Sequence, residues 1–193
     1  MTVLSQRQPA LARREFLACT VAVAPVALLG VSISACQGPS SNHRALTFTS
    51  LSAAMEELGR LTKPEPLAPA AAFSWAQTLA HCAQSIEFSM TGFPQPKSAL
   101  FQNTVGATAF KVFSMRGRMS HDLADPIPGA PSLDANTDVA QALARLRQSV
   151  AAFQQWKEPL KPHFAYGQLN KAEYDQAHAM HLAQHFSGFG QRG

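Results

Sequence analysis

Apolar residues along this chain fall into one unbroken run and several helical stripes. The run, FLACTVAVAPVALLGVSISA over residues 16–35, has no ionisable side chain apart from Cys19. Beyond it, Leu51, Met55, Leu58 and Leu61 recur at helical spacing, with Thr49, Ser50 or Ser52 as N-cap. Three prolines between Lys63 and Pro69 break the chain. A second helix is predicted over about 70–90, with Trp75, Leu79, Cys82 and Ile86 on one stripe and Gly92-Phe93-Pro94 as its stop. A third is expected from Ser98 to Phe113, weakened by Gly106 and β-branched residues.

Residues 114–136 hold Pro126, Pro128, Gly129 and Pro131 and read as a long irregular connection. Such a connection is too long for a tight hairpin; it is a crossover or a loop that shapes a site. Thr137 or Asp138 caps the next helix, whose Val139, Leu143, Leu146, Val150 and Phe153 keep a 4-3-4-3 spacing. Pro159 and Pro162 end it. The last helix starts at Asn170, with Glu173 as capping-box partner, and runs to Phe186. No strand-like alternation competes. The pattern predicts an all-α domain, four or five helices in an antiparallel bundle with a long connection between helices three and four.

The apolar run has the features of an export signal. Arg13-Arg14-Glu15-Phe16-Leu17 makes a twin-arginine pattern ahead of it, and Ile33-Ser34-Ala35-Cys36 behind it resembles a lipobox. The expectation is a signal peptide over 1–35, lipidation at Cys36, a flexible tether over 36–46, and a protein lipid-anchored to the membrane on the periplasmic side. An uncleaved transmembrane anchor is the alternative, because about 20 apolar residues can span a bilayer. Pro25 and Gly30 weaken that reading.

Charge adds little once the signal is set aside. The net charge of +4 comes from 16 basic and 12 acidic residues. Removing Arg7, Arg13, Arg14 and Glu15 halves it. The remaining basic residues are scattered, so the clustered stripe that nucleic acid requires is missing. Of three cysteines, Cys19 leaves with the signal and Cys36 carries the lipid, so Cys82 reads as a small buried apolar residue.

The chemistry lies in the seven histidines. His181 and His185, one helical turn apart, share a face with His178 and Tyr174 where a bundle helix normally places Leu. His81 stands in the apolar middle of the second helix. A pair from one helix and a single His from another make a three-ligand site with open positions. Imidazoles suit zinc, nickel, copper or iron, so spacing leaves the metal's identity open. It leaves open, too, a core in which these histidines bond to carbonyls and hold no metal. The zincin motif is excluded by Leu182 at its general-base position. Too few carboxylates are present for a ferritin-like di-iron site. His178, Glu87 and His163 are candidates to orient the ligands; His43, His121 and His163 fall in expected loops, where a solvated or structural role is the simpler reading.

The stretches His81-Cys-Ala-Gln-Ser-Ile-Glu87, Gly92-Phe93-Pro94 and Lys97-Ser98 resemble the second-helix region of a domain family of unknown function in the DinB/YfiT-like superfamily. His163-Phe-Ala-Tyr-Gly167, Glu173-Tyr174, His181-Leu-Ala-Gln-His185 and Phe189-Gly190 are similar to its C-terminal part. The resemblance covers residues 47–190 and implies an antiparallel four-helix bundle over them, with a divalent metal (Zn, Ni or Fe) held by His81, His181 and His185. Two departures stand out: Gln184 where many relatives have His, and Tyr174 where many have Trp. The resemblance further implies a metal-dependent transferase of thiol type. A hydrolase, or a non-catalytic envelope protein that binds metal or a small molecule, remains open beside it.

Overall fold

The computed structural model describes residues 43–61, 64–67 and 73–191, all within the compact unit Gly38–Gly193. The expected signal over 1–35 and the lipidation site Cys36 lie outside the described residues. So does most of the tether.

The described chain is mostly helical. Helix α1 (Leu51–Arg60) is capped by Ser50, whose side chain accepts from the Ala53 N–H. Helix α2 (Trp75–Thr91) starts later than apolar spacing suggests, because Ser74 and Gln77 form a reciprocal capping box. Ser98 caps a short α3 (Ala99–Phe101), which runs through a π-helical turn (Gln102–Gly106) into α4 (Ala107–Arg116). Helix α5 (Val139–Gln155) is capped by Asp138, and α6 (Lys171–Phe186) by the Asn170–Glu173 capping box.

Two short strands were not expected. β1 (Pro64–Pro66) pairs antiparallel with β2 (Phe189–Gln191), Glu65 opposite Gly190. At three residues each, they are too short to print an alternation, and proline is tolerated in an edge strand.

The core is built from Leu51 of α1, Leu79 and Ile86 of α2, Leu146 and Phe153 of α5, and Tyr174, Met180, Leu182 and Phe186 of α6. The expected seam of α5 is buried only from Leu146 onward; Val139 is exposed. Cys82 is fully buried, and desolvation pushes its thiol far above the ordinary range. No helix among the described residues is long and apolar enough to cross a membrane.

Helix directions follow from which residues meet. His81 in the first half of α2 meets His185 at the end of α6, while Lys161, whose N–H donates to the Ser89 carbonyl near the end of α2, accepts from Tyr174 near the start of α6, so these helices are antiparallel. Lys171 at the start of α6 donates from Nζ to the Trp156 carbonyl just past α5, so α5 and α6 are antiparallel too. It follows that α2 and α5 run the same way. The intervening connection makes this feasible by returning along α2. Gly129 lies beside Gln95, the Pro131 carbonyl accepts from Gln84, and the Leu133 carbonyl accepts from Gln77. The expectation of antiparallel neighbours throughout is therefore corrected for α2 and α5. The segment is a crossover, as parallel neighbours require.

Candidate metal centre

Each cluster residue reaches its place through an ordinary helix. His181 and His185 lie one turn apart on α6, and His81 faces them from α2. All three are buried. One nitrogen of each lies within 4.8 Å of the others, and their ring centroids are 4.6–5.1 Å apart. In tetrahedral coordination, nitrogens bound at about 2 Å each stand about 3.3 Å apart, so a metal draws these nitrogens together by up to about 1.5 Å.

Buried imidazoles ordinarily find hydrogen-bond partners. Here His81 Nδ1, His181 Nδ1, His185 Nε2 and His178 Nε2 are buried without one among the described residues. Burial keeps these rings neutral. His81 is lowered to about 4 by desolvation and then by the neighbouring His121. His181 and His185 are held well below the usual histidine range by desolvation first and by neighbouring imidazoles second. Neutral, clustered and unpartnered nitrogens are a donor set that suits a divalent transition metal.

A cavity of about 560 Å³ adjoins the cluster. His81, His181 and His178 line one side, and the crossover residues Met119, His121 and Ile127 another. Lys97 and Asp125, both exposed, add opposite charges to its lining.

The other sequence candidates separate clearly. His178 is stacked on Tyr174, meets Phe153 edge-on, and lines the cavity. His163 shapes a turn: its Nδ1 accepts from the Ala165 and Tyr166 N–H groups, and its ring stacks on Tyr166 at 4.2 Å. Accepting at Nδ1 requires the neutral ring, and desolvation lowers His163 to about 3. Glu87 is not brought to the histidines. Its carboxylate accepts from Arg145 Nε and Nη2 and from Ser149 Oγ, on the α5 side of α2.

Two further residues join the cluster. His121, expected to be a solvated loop residue, has its ring centroid 5.3 Å from His181 and 5.2 Å from His185. Phe73 lies 5.3 Å from the His81 ring and stacks on His185. Neither carried a local signal, since both sit outside helices and reach the site only through the fold.

The geometry thus defines a helical protein with a buried three-histidine cluster able to hold a metal ion beside a cavity. The chain belongs to the family described as "Protein of unknown function (DUF1569)", which matches residues 40–192. No curated protein and no solved structure gives a match.

Proposed function

We propose that this protein is an exported, lipid-anchored member of the DinB-like four-helix-bundle class. In this reading it binds a divalent transition metal (zinc, nickel or iron) through His81, His181 and His185. The observation that carries the metal reading is the convergence of three buried imidazoles, each with a nitrogen that finds no hydrogen-bond partner among the described residues. The bundle reading draws on α2 packing against α5 and α6, and α6 against α1.

Such an ion supplies Lewis acidity that favours the deprotonated form of a thiol or of water. The chain's own contribution is positioning. The histidines keep neutral lone pairs available, and apolar walls from Met119, Ile127 and Phe164 shelter a small organic molecule in the cavity. Tyr166, raised to about 12 by desolvation, stays a phenol and can donate but not act as a base. The cavity beside the cluster supports a transferase of thiol type or a hydrolase. A non-catalytic envelope binder is the second reading, favoured by the His121 ring beside the cluster, which offers to fill a coordination position.

Elemental analysis of protein folded in the cell tests the centre. Stoichiometric metal is expected in the unaltered chain and none in a His181→Ala/His185→Ala variant. Metal that survives both substitutions overturns the assignment. Lipid labelling that is lost in Cys36→Ala is the expected result for the anchor.

A further inference from the structure

We infer that His121 supplies a fourth nitrogen to the metal held by His81, His181 and His185, and that Gln184 positions it. The inference rests on the three-histidine reading above, adds a residue from outside the helices, and, by closing the fourth position, favours the non-catalytic binder over the transferase or hydrolase.

Three observations converge on His121. Its ring stands 5.3 and 5.2 Å from the His181 and His185 rings, just beyond the 4.6–5.1 Å that separates the ligands themselves and outside the 4.8 Å grouping of their nitrogens, so binding draws its loop inward. Its Nδ1 lies 2.9 Å from the Asp122 carbonyl oxygen. A carbonyl only accepts, so Nδ1 is the donor, and in the neutral ring Nε2 keeps its lone pair. Donation of the second ring N–H to a carbonyl or carboxylate is how metal-bound histidines are commonly oriented and made more basic. The backbone of His121 is also tied to the helix that carries two ligands, because Gln184 Nε2 donates to the His121 carbonyl at 2.6 Å.

Gln184 directly precedes His185, on the side of α6 that faces the crossover. Its amide can therefore hold the loop over the cluster without taking a coordination position. His121 itself is exposed, so replacing it opens no cavity in the core.

The test is titration of the metal-stripped full chain with Co²⁺, reading affinity and visible ligand-field bands. Circular dichroism serves as a check on folding. The unaltered protein is expected to give the intense bands of a four-coordinate nitrogen site. In His121→Ala the bands should shift and affinity fall about tenfold or more. Free imidazole should then restore the original spectrum. In Gln184→Ala the expected result is about tenfold weaker binding with the same band positions, the mark of a positioning residue. A His121→Ala protein with unaltered affinity and bands overturns this inference and leaves the three-histidine centre standing. So does imidazole that fails to restore the spectrum. Failure of the unaltered chain to bind Co²⁺ overturns both.

Discussion

Gly106 lies so close to Ala165 that a Cβ on it would stand 1.8 Å from the Ala165 carbonyl oxygen. The widened π turn thereby seats the start of α4 directly against the turn containing His163, which walls the cavity. In an open helix, Gly→Ala stabilises by up to about 1 kcal/mol. Here Gly106→Ala forces one backbone away from the other, at an expected cost of about 1–3 kcal/mol in chemical denaturation.

The pairing of Glu87 with Arg145 places this carboxylate outside the metal centre. Arg145→Ala is expected to lower stability by about 1 kcal/mol or less, because the pair is partly exposed. Glu87→Gln should leave metal content at the wild-type level. Metal loss in Glu87→Gln, measured by elemental analysis, would return this residue to the centre.

Tyr174 is fully buried and donates from its hydroxyl to the Lys161 carbonyl at 2.7 Å. Tyr174→Phe keeps the ring that stacks on His178 and removes only that bond. The expected loss is about 1–2 kcal/mol, read as a lower denaturation midpoint with an unchanged slope.

Acid should weaken the metal-free protein below about pH 6.5. Desolvation lowers His163 and His178 to about 3, against about 6.5 in an unfolded chain. Below about pH 6.5 the unfolded state takes up protons that the folded state refuses, so stability falls as pH drops and is complete above that value. Each such histidine contributes a slope of about 1.4 kcal/mol per pH unit between these limits. Urea unfolding between about pH 7 and pH 5 should show this fall, and His163→Gln should make it shallower.

Metal should stabilise the folded state. With free zinc at about a hundredfold over its dissociation constant, the gain is about 2.7 kcal/mol. Thermal unfolding with and without zinc should show that gain in the unaltered chain and none in His81→Ala.

Short-range patterns sufficed for much of this molecule. The stripes Leu51-Leu58 and Leu79-Cys82-Ile86, the caps at Ser50, Asp138 and Asn170, and the one-turn spacing of His181 and His185 are local properties. Helix hydrogen bonds and caps close within four residues, so their signals survive without the fold. His81 was legible too, as a polar residue in an apolar stripe and through its family resemblance.

Other features required the chain to be folded. The shared direction of α2 and α5 depends on the return of residues 126–133 along α2, held by Gln84 and Gln77, which no periodicity encodes. The β1–β2 pair joins segments more than a hundred residues apart in Pro64 and Gln191. Glu87 looked available to the histidines until α5 supplied Arg145 and Ser149 as its partners. His121 looked like a solvated loop residue until Gln184 tied its backbone to α6. In every one of these cases the deciding partner is distant in sequence. Periodicity reports which face of a helix is apolar, but only packing settles what that face meets.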